Sequence, residues 1–278
     1  MCRLCEEFGE GMRWYLNPRF HKEIGQNQEV RDRLWEMSTG PEAQKGYVVY
    51  IKRSNDGLSS PPTEEQKKYW SGMWRLGTGP CQIVPLEDAV KIMDLAEDIC
   101  VVPCLCRMMW GGKKEKVCIM WSLATKAMRE SSIPWKHGYN EVEYLSADEA
   151  KNLLRKCDRE GCVHWLELMT EPYTWCICNC KLPYCTALRG RLLHGIKNMA
   201  VKGHDIALVD PQKCDGCGGK PLCMTACQFG AIKYDSYNGL AVVMPSLCFG
   251  CGVCRARCPN GAITLKDKAS IPAVKNLW

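Results

Sequence analysis

No stretch of the 278 residues approaches eighteen consecutive apolar side chains, which argues against a membrane-spanning helix. The opening residues, MCRLCEEFGEG, lack the basic and apolar regions of a secretory leader, so the sequence predicts a cytoplasmic protein. There is no G-x-G-x-x-G dinucleotide fingerprint, no phosphate-binding P-loop and no flavin motif. Nothing therefore equips the chain to draw hydrides by itself. Nor is there a sign of disorder: 46% of the residues are hydrophobic, and the length suits one large or two ordinary domains.

Cysteine, by contrast, is abundant, with 21 residues. In a short secreted chain that count would mean a disulfide scaffold, but at this length and without a leader it points to metal ligation in a reducing compartment. The cysteines are concentrated from Cys214 to Cys258. Cys248, Cys251, Cys254 and Cys258 follow the spacing C-x2-C-x2-C-x3-C and are followed by Pro259. Cys214, Cys217, Cys223 and Cys227 repeat the pattern, with Gly218-Gly219-Lys220 inserted and Gln228 in the proline position. Both halves end in Gly-Ala-Ile, at Gly230–Ile232 and Gly261–Ile263, which makes an internal repeat. Three thiolates within about ten residues can wrap one face of an iron–sulfur cube, and the fourth must come from elsewhere in the chain. A pair of zinc knuckles also uses C-x2-C units, but a third close cysteine in each run and the Cys-Pro speak against it.

Residues 206–265 thereby resemble a bacterial-type ferredoxin domain with two 4Fe-4S clusters. The resemblance implies that each fourth cysteine crosses to the other cluster. Cys214, Cys217, Cys223 and Cys258 would hold the first, and Cys248, Cys251, Cys254 and Cys227 the second. It also implies two halves, each strand, ligand loop, short helix and strand, related by a pseudo-twofold axis. Apolar residues among the ligands, such as Leu222, Met224, Phe249 and Val253, would keep water off the sulfurs and favour a low potential.

The formal charge of +6 counts cysteines as neutral. Each oxidised cube with its four thiolates carries about −2, so two cubes leave about +2 and a third about zero. No nucleic-acid partner is read from that balance.

The remainder of the chain divides into an N-terminal region (1–80), a cysteine-rich α/β domain (81–188), a connector (189–205) and a tail (266–278). The N-terminal region carries the pair Cys2 and Cys5, half of a metal site to be completed elsewhere or two free thiols. It also carries a helical pattern over 27–37, a strand pattern over 47–51, a capping box at Thr63 and Gln66, and a loop marked by Gly72, Gly77 and Gly79. In the middle domain Leu86 opens an amphipathic helix that leads into Val101-Val102-Pro103-Cys104-Leu105-Cys106. The reading of Cys104-x-Cys106 is that only a tight turn lets a C-x-C pair chelate. Residues 141–169 read as strand, helix and strand, with a Ser146/Glu149 capping box and a Gly161 stop, the signature of a crossover. Cys176, Cys178, Cys180 and Cys185 follow within ten residues. Together with Cys104, Cys106 and Cys118 they are candidate ligands of a third iron–sulfur cluster. Two cubes there would need an eighth ligand such as Cys100, Cys162 or His164.

With its Pro103-Cys104-x-Cys106-Arg107, its Gly161-x-Val163-His164 and its Ile177-Cys178-Asn179-Cys180, the middle segment resembles, more loosely, part of the multi-cluster ferredoxin-like proteins of strict anaerobes. His194 and His204 are read as part of a basic surface connector bearing Arg189, Arg191, Lys197 and Lys202, which is either a solvated link or a docking patch. The expected fold class is α+β, a cysteine-rich α/β domain followed by a ferredoxin domain. The expected function is that of an electron-transfer subunit of an oxidoreductase complex, passing low-potential electrons between redox partner proteins. A reductase with its own catalytic cluster in the middle domain, fed by the ferredoxin domain, is the alternative. A zinc-rich scaffold or nucleic-acid protein is a third possibility, which iron and sulfide analysis would dismiss.

Overall fold

A computed structural model describes residues 2–24, 26–29, 31–32, 63–68, 71, 82–130 and 141–277. Most of the helical pattern at 27–37, the strand pattern at 47–51 and the glycine loop at 72–79 lie outside them. The capping box at Thr63 is formed, each backbone N–H of Thr63 and Gln66 donating to the other's side chain.

The middle of the chain is a six-stranded sheet. Its strands are β1 (Gln82–Val84), β2 (Ile99–Pro103), β3 (Lys116–Met120), β4 (Glu143–Leu145), β5 (Val163–Thr170) and β6 (Tyr173–Cys180), in the order β1-β5-β6-β3-β2-β4. Every neighbouring pair is antiparallel. It follows that β4 and β5 run parallel, with three strands between them, and the helix that connects them, Ala147–Arg159, is the crossover that the 141–169 pattern predicts. Ser146 caps that helix reciprocally with Glu149, and the chain turns out of it at Gly161, with φ of +81°.

Alternation along the strands gives the sheet two chemically different faces. Ile99, Val101, Ile119, Leu166 and Ile177 point to one face, where they pack with Ala89, Ile92 and Met93 of the helix Leu86–Leu95 and with Ala150 and Leu154 of the crossover helix. Cys100, Val102, Cys118, Trp165, Cys176, Cys178 and Cys180 point to the other. The sheet is thus an aliphatic layer on one side and a thiol layer on the other.

Residues 205–267 carry two halves of like order: β7 (Asp205–Val209), a loop, the helix Leu222–Ala226 and β8 (Ile232–Asp235), then β9 (Leu240–Val243), a loop, the helix Val253–Ala256 and β10 (Ile263–Asp267). The first strand pairs with the last, and the two inner strands pair with each other. The tail folds back: buried Lys268 donates from Nζ to Leu277 O at 3.2 Å, and Val274 is buried in the same core. No helix among the described residues is long and apolar enough to cross a membrane.

Candidate metal centres

Two cavities lie inside residues 205–267, and their linings sort the eight cysteines of the repeat. Cys214, Cys217, Cys223 and Cys258 line one. Cys227, Cys248, Cys251 and Cys254 line the other.

The duplicated Gly-Ala-Ile has a job at atomic level in both halves. The Ala231 N–H donates to Cys227 Sγ and the Ala262 N–H to Cys258 Sγ, each at 3.3 Å. The glycine before each alanine takes positive φ, +63° at Gly230 and +59° at Gly261, and so turns that amide back onto the sulfur. The isoleucine after it opens β8 or β10 with its side chain in the core. The inserted Gly218 and Gly219 continue a left-handed stretch that begins before them, in which Cys217 itself has φ of +48°, and Lys220 leaves it with φ of −130°.

The fit to an iron–sulfur cube is also electrostatic. Burial pushes the Cys223 thiol up to about 11 and Cys254 up to about 12, and Cys251 is driven well above the ordinary range. Four thiolates crowded in such a pocket need cationic metal between them.

The seven middle candidates also meet. Six of them form a closed ring of thiol contacts: Cys104 to Cys106, Cys106 to Cys185, Cys185 to Cys180, Cys180 to Cys178, Cys178 to Cys118 and Cys118 back to Cys104. Cys176 hangs on this ring, its sulfur 3.7 Å from that of Cys178. The parts come from separate elements. Cys104 precedes the helix Leu105–Gly111 and Cys106 lies in its first turn. Cys118 sits opposite Cys178 across β3 and β6, and Cys185 caps the helix Thr186–Leu192.

The expectation that a C-x-C pair cannot chelate from a strand is corrected by β6. Alternate residues of a strand share a face, so Cys176, Cys178 and Cys180 stand side by side. Trp165 Nε1–H donates to Cys180 Sγ at 2.7 Å, and Cys106 Sγ bonds Thr186 Oγ1 at 3.3 Å. Half-buried Glu167 has a carboxylate oxygen within 4.8 Å of the Cys176 and Cys178 sulfurs, and burial pushes its carboxyl up to about 7.

The three spare ligands go elsewhere. Cys100 accepts from Thr125 Oγ1 at 3.2 Å. Cys162 contacts Cys157 and takes a 3.3 Å hydrogen bond from Arg107 Nη2, which, after the Cys157 contact, helps to lower its thiol to about 7. His164 donates from Nδ1 to Asn179 Oδ1 at 2.5 Å, and Asn179 Nδ2 donates to Val117 O at 2.6 Å.

The reading of 189–205 as a surface connector is overturned at several positions. Ile196, Met199 and His204 are buried. The Arg189 guanidinium stacks 4.3 Å over Trp110, Arg191 donates to Lys197 O at 2.7 Å, and Lys202 donates to Ser246 O at 2.7 Å. Arg189, Arg191 and Lys202 are thus spent on internal contacts, while Lys197 is exposed. Meanwhile Cys2, Cys5 and His204 converge, a meeting for which the sequence offers no spacing signal.

Between the two parts of the molecule runs a seam with an apolar centre. Phe229 and Phe249 stack with centroids 4.1 Å apart and planes within 10°, and both belong to the core that holds the middle thiols. Cys227 and Cys251 pack against that core as well. Gln228, the residue that replaces the motif proline, bridges the parts: Leu182 N donates to its Oε1 at 2.7 Å and its Nε2 donates to Gly161 O at 2.9 Å. Arg255 pairs with Glu87 across the same boundary.

Comparison with known proteins matches residues 206–274 to the 4Fe-4S dicluster domain family. An uncharacterized ferredoxin of Methanocaldococcus jannaschii is 37% identical over 59 residues, 21% of this chain and 34% of the relative. The beta subunit of adenylylsulfate reductase from Megalodesulfovibrio gigas is 41% identical over 64 residues, 22% of this chain and 38% of that subunit. The chain thus covers little more than a third of either relative, and no solved structure matches it. Residues 206–274 are thus similar to iron–sulfur domains of the ferredoxin type.

Proposed function

We propose that this protein is a multi-cluster electron-transfer subunit in which a two-cluster ferredoxin domain feeds, or is fed by, a third centre in the middle domain. The observation that carries this reading is the ring of six thiols facing the ferredoxin domain across a stacked Phe229–Phe249 pair. Bound clusters supply one-electron chemistry; the chain's own residues hold them, space them and keep water away.

Cys214, Cys217, Cys223 and Cys258 are the proposed ligands of one 4Fe-4S cube, and Cys227, Cys248, Cys251 and Cys254 of the other, in halves related by a pseudo-twofold axis. Four ligands of the third centre come from the ring and Cys176. Cys227 and Cys251 pack on the middle core, whereas Cys214 packs only in the ferredoxin core. The second set of ligands is therefore the inner station, and the first is the outer one, facing a redox partner protein within an oxidoreductase complex. A reducing cytoplasm, as in an anaerobe, suits so many thiolates. The domain division proposed is 1–80, 81–188, 189–205, 206–265 and 266–278, with 189–205 acting as an embedded strap.

Glu167 favours a second reading. A carboxyl beside Cys176 and Cys178, held near neutrality, could pass a proton to a substrate reduced at the middle centre. The deciding experiment is iron and sulfide content of anaerobically purified protein, with electron paramagnetic resonance during stepwise dithionite reduction. Roughly twelve or more irons per chain, with a signal beyond that of interacting cubes, is expected. About eight irons, with interacting-cube signals alone, would sink the third centre. A further signal that shifts with a small molecule would favour the reductase.

A further inference from the structure

Away from the sulfur-rich core, the N-terminal segment brings Cys2 and Cys5 against His204, which immediately precedes β7. Each donor atom of the three lies within 4.8 Å of the other two, and Cys5 Sγ is 2.9 Å from His204 Nε2. A tetrahedral zinc ion, with bonds of about 2.3 Å to sulfur and about 2.0–2.1 Å to nitrogen, sets its ligand atoms about 3.5–3.8 Å apart. Small side-chain rotations reach that spacing.

The imidazole is also aimed. His204 Nδ1 lies 3.2 Å from the Tyr15 hydroxyl, which donates to Asp88 Oδ2 at 2.7 Å. Tyr15 and Asp88 are buried, and Arg13 ties Asp88 to Asp205. With Nδ1–H donating to the tyrosine oxygen, the Nε2 lone pair points at the cysteines. A carboxylate-anchored histidine of this kind fixes both the tautomer and the orientation of a metal ligand. Two soft sulfurs and one imidazole, at C-x2-C spacing, form a donor set that selects zinc.

We propose that Cys2, Cys5 and His204 bind one zinc ion that staples the N-terminal segment to the ferredoxin-type domain. The site is independent of the electron-transfer reading and uses none of its ligands. Binding deprotonates both thiols, the protons leave to solvent, and no electron is exchanged.

The test uses full-length protein, purified anaerobically and supplied with zinc chloride. Metal analysis should find about one zinc per chain, and zinc X-ray absorption should find two sulfurs with imidazole nitrogen in the shell. His204→Ala should lose the zinc while iron stays at the wild-type level, and His204→Cys should recover it with a third sulfur in the shell. An all-sulfur shell in the wild type would place the zinc among other cysteines and overturn the proposal. So would zinc retained in His204→Ala or in Cys5→Ser, or no zinc at all. Should His204→Ala lose its iron as well, the wild-type shell and the His204→Cys shell decide the matter by themselves.

Discussion

Asp158, on the crossover helix, and His164, on β5, face each other with Oδ1 and Nε2 3.9 Å apart, and neither atom has a hydrogen-bond partner among the described residues. Burial raises the Asp158 carboxyl from 3.8 to about 6, against the pull of Arg255 and Arg159, while Glu87 adds to the rise. Burial lowers His164 from 6.5 to about 4, although Asn179 and Glu87 favour its charged form. At pH 5 the folded pair holds one proton, on the aspartate. The unfolded pair also holds one, on the histidine, so the two contributions to pH dependence cancel. Removing either partner uncovers the other. In His164→Gln the folded state binds the extra proton, and stability should fall as pH rises from about 4 to 6. In Asp158→Asn the unfolded state binds it, and stability should fall as pH drops from about 6.5 to 4. Each swing is up to about 3 kcal/mol. Anaerobic urea midpoints across that range measure both, and parallel profiles in the two variants would contradict the cancellation.

At the scale of elements, β6 decides where the middle thiols go. Cys178 is the ring member with the most thiol neighbours, touching Cys118, Cys176 and Cys180. Cys100 lies on the same face of the sheet but outside the ring, two strands away. Cys178→Ser should bring iron down to about eight per chain, the content of two cubes, whereas Cys100→Ser should leave it unchanged. Equal losses from the two would show that the face, and not the ring, governs metal uptake.

Much of this layout was legible in advance because it rests on local signals. The Ser146/Glu149 box, the helix to Arg159 and the Gly161 exit are written in consecutive residues, and the C-x2-C-x2-C-x3-C run announces its own loop. What stayed hidden depends on distant pairing. No spacing reveals that Cys118 lies opposite Cys178, that six thiols close a ring, or that His204 meets Cys2 and Cys5. The exclusion of strands as chelators neglected their two-residue period, which places Cys176, Cys178 and Cys180 on one face. Arg189, Arg191 and Lys202 look like a solvated patch in sequence because their aromatic and carbonyl partners are remote.

For the molecule as a whole, the seam between the two parts hangs on few polar contacts, and Gln228 supplies two of them. Gln228→Leu should leave Leu182 N–H and Gly161 C=O without their partner. That should lower stability by roughly 1–3 kcal/mol while iron content holds. Hydrogen exchange at the Leu182 amide should quicken, and an unchanged rate would mean that the seam does not depend on Gln228.

The pairing of β7 with β10 has a further bearing. Because the first and last strands of the ferredoxin-type part lie side by side, the chain enters and leaves this part at one place, and everything between forms a closed loop of structure. A cassette of that shape can be spliced into an unrelated host without rethreading either partner.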